Sequence, residues 1–544
     1  MRAGFITLCV TVSITGASII GATTSVSAAP ACGVDALNAL NVANMSLTDA
    51  KPVAAAGKVP AYCDVHGTVV THGSGVGDGL ARFEMQVPEV WHQRFLFLGV
   101  GANAGNLRPS ANATDRASAL GKGYVTVVTD TGHVGNGVSA AWTRLPDGKP
   151  DTVKMVDFFY RAAHDVAVAG KAFALAYYGA KVEHAYFDGC STGGRMAMME
   201  AERYPADYDG VIAGDPLMSF HTYTARAVVQ KAALSVPAAY ISNALLKEID
   251  ARVTSRCDAI DGAKDGLVQN PTACPVRAED LLCHPGETHA CLNADQMRVL
   301  KSYTSDFRDK RGKVIFTPWP MTDMADPMGV AYTSTGESAP DLSDLPAPWK
   351  AHPDDAAHGW ALVQQMVSYW LGLGTSASVA DLDVDPRTNT VGDTMLAMMN
   401  STYADGNVRD PKKLGAFIAQ GRKMILYHGA SDPSIPPSQS IAFYRELMAQ
   451  EKGLARTQAN VRLFLVPGMH HCEGGPAPDQ FDTLSALEAW VEQGKAPEAI
   501  QASTKPEAAV QHHLPLCPYP RQGRYSGTGD VNDAANWRCV ATKG

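Results

Sequence analysis

The sequence predicts an α/β fold built as one large domain interrupted by an insertion, and three observations carry that expectation. Short apolar runs rich in β-branched residues end in glycine or aspartate, stretches of helical periodicity alternate with them, and the alternation stops over residues 217–410 before resuming. Phe95 to Gly99 and Tyr124 to Thr129 read as buried strands. Apolar residues recur at helical spacing from Val153 to Tyr178, and after Gly179 a strand is expected from His184 to Asp188. A helix follows from Met196 to Tyr204, then a strand at Val211 to Ala213. Strands return at Met424 to Tyr427 and Val461 to Val466, with a helix from Gln439 to Gln450 between them. The interruption holds four cysteines and the aromatic set Trp319, Trp349, Trp360, Tyr369 and Trp370. It reads as a lid. The expected organisation is a signal peptide at 1–28, a catalytic domain in two parts at 29–216 and 411–544, and the lid domain at 217–410.

Composition narrows the function. The 544 residues, 46% of them hydrophobic, are ample for a large core. Lys and Arg number 46 against 55 Asp and Glu, with no run of five basic residues, so nucleic acid is not an expected partner. The N-terminus has Arg2, an apolar stretch from Phe5 to Ile20, and the small residues Val26-Ser27-Ala28 that suit a signal peptidase. Export to the periplasm or the medium is expected, without a membrane-spanning segment in the mature chain. Cys9 falls in the leader, and the remaining ten of the 11 cysteines form an even set that predicts five disulfides. No CxxC pair points to zinc. Nothing in the sequence specifies a protein partner.

The chemistry starts at Gly189-Cys-Ser-Thr-Gly193, a G-x-S-x-G pattern directly after a predicted strand and directly before a predicted helix. A sharp turn there exposes the Ser191 hydroxyl, and the helix N-terminus brings N–H groups to a developing oxyanion. The fold class is therefore the α/β-hydrolase fold with a large inserted lid domain. A serine hydroxyl needs a histidine to take its proton and a carboxylate to orient that histidine, in the chain order Ser, acid, His. Asp432 follows one late strand and His471 the next. His470 competes with His471, and distance from the strand does not separate them. Cys190 immediately precedes Ser191 and Cys472 immediately follows His471; a bridge between them would hold nucleophile and base together, which favours His471.

These segments resemble the tannase and feruloyl esterase family. The resemblance rests on Asp157-Phe-Phe-Tyr-Arg-Ala-Ala-His164, Tyr186-Phe-Asp-Gly-Cys-Ser-Thr-Gly-Gly-Arg195, Glu202-Arg-Tyr-Pro205, Asp209-Gly-Val-Ile-Ala-Gly214, Thr129-Asp-Thr-Gly-His133 and His471-Cys-Glu-Gly-Gly475. It implies Ser191, Asp432 and His471 as the catalytic triad, and the pairs Cys190–Cys472, Cys32–Cys63, Cys257–Cys274, Cys283–Cys291 and Cys517–Cys539 as disulfides. It implies oxyanion donors at the Thr192 N–H and in the loop Gly99 to Gly105, where relatives usually carry consecutive glycines and this chain has Gly101-Ala102, Ala102 being favoured. Read alone, the Asp/Gly-rich stretch Cys257 to Leu267 is a solvated turn or a cation loop. The resemblance implies a structural calcium held by Asp258, Asp261 and Asp265 and by the carbonyls of Ala263 and Leu267.

The implied activity is hydrolysis of esters of aromatic acids such as ferulate, gallate or hydroxybenzoate, with a small aromatic ester as partner. A terephthalate monoester hydrolase is the alternative, and a secreted serine peptidase would use the same triad. The stretch Phe316 to Met321 lacks the glycine-rich, glutamate-containing sequence of relatives, and no lid arginine suited to a substrate carboxylate is identified. That departure counts against a terephthalate monoester.

Overall fold

The computed structural model describes residues 1, 30–325 and 329–541, so the expected signal peptide, Met1 apart, lies outside the described residues. Strands β1 (Met45–Val53), β2 (Tyr62–Thr71), β3 (Gly79–Pro88), β4 (Arg94–Leu98), β5 (Tyr124–Thr129), β6 (His184–Cys190), β7 (Gly210–Gly214), β8 (Lys423–Gly429) and β9 (Val461–Val466) form one nine-stranded sheet. Its order is β1-β2-β3-β5-β4-β6-β7-β8-β9. From β5 to β9 each neighbour pairs in parallel, whereas β1, β2 and β3 extend the sheet antiparallel.

The two halves of the sheet differ in burial, and the difference explains what the sequence signalled. All six residues of β5 are buried, as helices on both faces of a parallel sheet require. In β2 buried residues alternate with half-exposed ones, Cys63, Val65, Gly67, Val69 and Thr71 facing inward. Such mixed strands carry no long apolar run, and β1 to β3 were not among the expected elements.

Helix α1 (Ala162–Tyr178) does not run unbroken from Val153 as its periodicity predicts. A short helix at Thr152–Val156 passes into a π-turn over Asp157–Arg161 before α1 begins. The turn places Arg161 Nε 2.6 Å from Asp157 Oδ1 in a buried ion pair. It also leaves the carbonyls of Phe158 and Phe159 free to accept from the buried Arg195, at 3.0 and 2.8 Å. Arg195 lies on α2 (Thr192–Arg203), so the irregular turn braces the helix that follows the elbow serine. Helix α2 starts four residues before the expected Met196 because Gly193 and Gly194, poor helix formers in isolation, are already helical.

Between β7 and β8 the chain builds α3 (His221–Ala233), further helices, and a separate four-stranded sheet of Val384–Asp385, Thr390–Val391, Phe307–Asp309 and Val314–Phe316. Trp370 joins this region to the main body, its ring 5.3 Å from that of Trp142 and 4.9 Å from that of Tyr403. Trp319 stacks on Tyr303 at 5.2 Å. Both tryptophans are core. After β9, a three-stranded sheet and the hairpin Arg521–Tyr525/Trp537–Ala541 close the chain outside the large sheet. Disulfides join Cys32–Cys63, Cys190–Cys472, Cys257–Cys274, Cys283–Cys291 and Cys517–Cys539.

Candidate active site

Strand β6 ends at Cys190 and α2 begins at Thr192, which isolates Ser191 in the turn with φ 62° and ψ −122°. For a residue with a side chain this conformation costs on the order of 1–3 kcal/mol and persists only where its surroundings enforce it. Here the Ser191 N–H donates to the Gly214 carbonyl at 2.9 Å, the Leu217 N–H donates to the Ser191 carbonyl at 3.1 Å, and the Cys190 N–H donates to Ser110 Oγ at 2.8 Å. Neighbouring backbone is also close. A Cβ at Gly189 would stand 2.7 Å from the Gly193 carbonyl carbon, and one at Gly99 would stand 2.6 Å from Gly193 Cα. The glycines of the motif are thus a steric requirement of the elbow.

The loops after β8 and β9 bring Asp432 and His471 together. His471 Nδ1 lies 2.8 Å from Asp432 Oδ2, so Nδ1–H donates and Nε2 is left to accept a proton. Asp432 is fully buried, and its other oxygen accepts the N–H groups of Ser434 at 2.6 Å and Ile435 at 2.9 Å. Burial opposes its charge, but His471 and His428 outweigh that and hold the Asp432 carboxyl well below the usual range. For His471 burial favours the neutral ring, yet Asp432 prevails and its proton affinity is raised. His470 faces elsewhere: its Nε2 donates to the Asp323 carbonyl at 2.7 Å.

The Cys190–Cys472 bridge spans a Cα–Cα distance of 6.0 Å between the residue before the serine and the residue after the histidine. Asp215, at the end of β7, reinforces the junction. Its carboxylate accepts the N–H of Cys472 at 2.7 Å and of Gly429 at 2.6 Å, and burial pushes it up to about 6. Sequence reading did not find Asp215 or His428. Asp215 stands immediately after the Asp209–Gly214 motif and His428 immediately before the acid loop, the only signals either offered.

The loop after β4 faces the start of α2. Thr192 Oγ1 donates to the Ala102 carbonyl at 2.7 Å, and Gly101, Ala102 and Thr192 line the same cavity as Ser191. Ala102 takes a positive φ of 50°, where an alanine is strained and a glycine is not. The loop is propped from below: His133 Nε2 donates to the Asn103 carbonyl at 2.9 Å and its ring stacks on Trp142 at 3.7 Å. Burial drives the His133 imidazole down to about 4, so it is neutral at pH 7.

Ser191 and His471 open into a cavity of about 210 Å³. Its far wall comes from the inserted region and α3, through Tyr223, Arg226, Tyr332, His358 and Leu362. Tyr332 and His358 stack at 5.2 Å. Arg226 is buried and already engaged: its guanidinium donates to the carbonyls of Thr333 at 2.9 Å and Pro433 at 3.0 Å, and also to that of Ser434. The aromatic residues singled out in the sequence do not line this cavity. A larger one of about 780 Å³, lined by Val276, Trp319, Met321 and Ile441 among others, holds none of Ser191, Asp432 and His471. Chemistry, not size, identifies the site.

The expected calcium loop is compact and acidic. Asp258 Oδ1 accepts the N–H groups of Asp265 at 3.2 Å and Gly266 at 3.1 Å, Asp261 Oδ1 that of Ala263 at 2.8 Å, and Asp265 Oδ1 that of Leu267 at 3.1 Å. The second oxygens of Asp261 and Asp265 are buried with no protein partner. Burial first, and repulsion among the three carboxylates after it, pushes Asp261 up to about 7 and Asp265 up to about 6. Orphaned buried carboxylate oxygens fit a hard cation. Ala263 and Leu267 are buried beside Leu514 and Trp537 of the C-terminal segment.

A strained serine at a strand-to-helix turn and a histidine bonded to a buried aspartate, on a mostly parallel sheet, define an α/β-hydrolase, and the relatives make it a carboxylic ester hydrolase. Residues 63–540 match the family described as tannase and feruloyl esterase, and the chain belongs to that family. It is 31% identical to mono(2-hydroxyethyl) terephthalate hydrolase of Piscinibacter sakaiensis, over 91% of this chain and 87% of that protein. It is 27% identical to a probable feruloyl esterase B-1 of Aspergillus oryzae, over 84% of this chain and 80% of that one. The fold is shared with feruloyl esterase B from Aspergillus oryzae (TM-score 0.75, 23% identity, 93% of this chain and 99% of that one). It is shared also with tannin acyl hydrolase from Aspergillus niger (TM-score 0.69, 19% identity, 95% and 97%).

Proposed function

We propose that the protein hydrolyses esters of single-ring phenolic acids, such as ferulate, gallate or hydroxybenzoate, through an acyl-enzyme on Ser191. The observation that carries this reading is the cavity. Ser191 and His471 share about 210 Å³ with an aromatic and apolar wall, below the roughly 300–1,000 Å³ usual for drug-sized ligands and suited to one ring. In the first half-reaction His471 Nε2 takes the Ser191 proton as Oγ attacks the ester carbonyl, while Asp432 stabilises the imidazolium. The N–H groups of Thr192 and of Ala102 or Gly101 face the oxyanion. His471 then returns the proton to the departing alcohol. Water, deprotonated by the same histidine, releases the acid.

Asp258, Asp261 and Asp265, with the carbonyls of Ala263 and Leu267, would hold the calcium. Bound there, it supplies charge neutralisation that fixes the loop. The leader-like N-terminus and the disulfides support secretion or a periplasmic location, and among the described residues no helix is long and apolar enough to cross a membrane. The identity to the terephthalate monoester hydrolase favours a second reading, but a terephthalate carboxylate needs a cation, and Arg226 is committed to backbone carbonyls. The test is a hydrolysis screen of methyl ferulate, methyl gallate, chlorogenate, an alkyl hydroxybenzoate, the terephthalate monoester and a peptide, with Ser191→Ala as control. Phenolic esters should lead. Turnover confined to the terephthalate monoester or the peptide overturns the reading.

A further inference from the structure

Behind the Asp432–His471 pair lies a second buried histidine that the mechanism above does not use. His428, near the end of β8, is fully buried. Its Nε2 is 2.9 Å from the Ile435 carbonyl, 3.4 Å from Asp432 Oδ2 and 3.5 Å from Asp215 Oδ1. Its Nδ1 is 2.7 Å from Ser440 Oγ on α4 (Pro437–Gln450). A carbonyl can only accept, so Nε2 carries a hydrogen, and the Ser440 hydroxyl can accept one from Nδ1. Every polar neighbour therefore accommodates a doubly protonated ring.

The charges around it call for one. Asp215 and Asp432 are both fully buried, and buried carboxylates are tolerated as ions only when paired. The base His471, from the loop after β9, must be neutral before reaction and leaves that role open. Arg226, from α3, reaches the acid loop at Pro433 and Ser434 and not the carboxylates themselves. Burial alone favours a neutral His428, but Asp215 and Asp432 outweigh it and raise its proton affinity.

We propose that His428 is a positioning residue: held as an imidazolium between Asp215 and Asp432, it offsets their charge and keeps the Asp432 carboxylate aimed at His471. Through Asp215, which accepts the N–H of Cys472, the same charge steadies the backbone beside the base. The inference rests on the assignment of Asp432 and His471 above. A fixed cation near His471 also opposes protonation of the base. Removing it should make His471 more basic.

The variant that separates charge from packing is His428→Gln, neutral and of similar length. It should lower kcat on methyl ferulate by about tenfold or more with KM within about twofold. It should also move the acid limb of kcat/KM to higher pH by about one unit. A folded His428→Gln with an unmoved acid limb overturns the proposal, because a packing role changes stability without touching the ionisation of His471. Should the variant not fold, 15N NMR of histidine-labelled wild type decides. His428 should show both ring nitrogens protonated at pH 7 and remain so while His471 titrates, and a neutral ring overturns the proposal. The NMR readout needs no turnover, so a wild type inactive on every ester would sink the functional reading and leave this one to its own result.

Discussion

The parallel sheet and the inserted region contribute to the same cavity by different means. The sheet places its groups through the backbone: Ser191 by a strained turn, Asp432 and His471 by loops leaving adjacent parallel strands, and the junction by Asp215 and a disulfide. The inserted region places its groups through side-chain packing, with Tyr332 on His358 and Arg226 reaching across to Pro433. Geometry set by the backbone has few tolerable sequences and leaves a motif. A wall built by packing has many solutions and leaves none. The sheet should therefore control rate and the insertion should control choice of substrate.

The sharpest break of that comparison is at the nucleophile. Ser191→Ala should lower kcat by about 10⁶ with the fold intact, as loss of a triad nucleophile does in other serine hydrolases. Turnover of phenolic esters at a tenth of the wild-type rate would remove Ser191 from the role. His471→Ala should follow it, and His470→Ala should not, since His470 is bonded to the Asp323 carbonyl. As the proposed base His471 works as a neutral ring, and Asp432 raises its proton affinity above the ordinary 6.5. kcat/KM should thus be complete at high pH and fall as pH drops through a value above 6.5.

Next in size is the bridge. A Cys190→Ala, Cys472→Ala double variant opens a loop of 282 residues, for which chain entropy allows about 5.6 kcal/mol at most. The other disulfides remain, so the loss should fall more on catalysis: a misplacement of about 1 Å between Ser191 and His471 costs on the order of 100-fold. A folded double variant with wild-type kcat would make the bridge structural only.

Smaller again is the effect of the insertion. Leu362→Ala removes apolar surface from the wall opposite Ser191 and should cost about tenfold in kcat/KM for methyl ferulate while leaving p-nitrophenyl acetate nearly unchanged. Equal losses on both esters would mean that this region supports the catalytic machinery itself and that the division of labour is wrong.

The same division explains what could be read in advance. Strands β5 and β9 match their sequence runs end to end because continuous apolar runs, buried at all six positions in β5 and at five of six in β9, leave little ambiguity. Strands β1 to β3 escaped because their apolar residues alternate with polar ones, and the π-turn at Asp157 escaped because its purpose, freeing two carbonyls for Arg195, lies in another part of the chain. At the candidate site, Ser191 was legible from the G-x-S-x-G motif and Asp432 from its loop after a strand, whereas His471 was set above His470 only by the cysteines that flank the nucleophile and the base. Tyr332, His358 and Leu362 were not, since only the folded insertion sets them against the serine. The conspicuous tryptophans Trp319 and Trp370 are buried against other aromatics and do not line the cavity at Ser191.

The smallest effect expected on activity is at the calcium loop, and it sharpens the comparison because this site belongs to the insertion but packs on the C-terminal segment. Excess chelator should lower Tm by a few degrees, since a ligand held about 100-fold above its dissociation constant stabilises by about 2.7 kcal/mol. Turnover at room temperature should hardly change. The pH dependence carries the diagnostic sign. Without a cation, Asp261 and Asp265 bind protons up to about 7 and 6 in the folded protein, whereas an unfolded aspartate releases its proton near 3.8. Between those values the folded state holds more protons than the unfolded one, so stability of the chelated protein falls as pH rises from about 4 to about 7. With calcium bound the folded carboxylates are ionised throughout that window, and the contribution reverses, growing as pH rises through the unfolded value. Melting curves from pH 4 to pH 7 with calcium and with chelator should therefore diverge with increasing pH. Parallel curves, together with metal analysis showing no calcium in the purified protein, would leave the loop as a solvated acidic turn and remove the cation from the account.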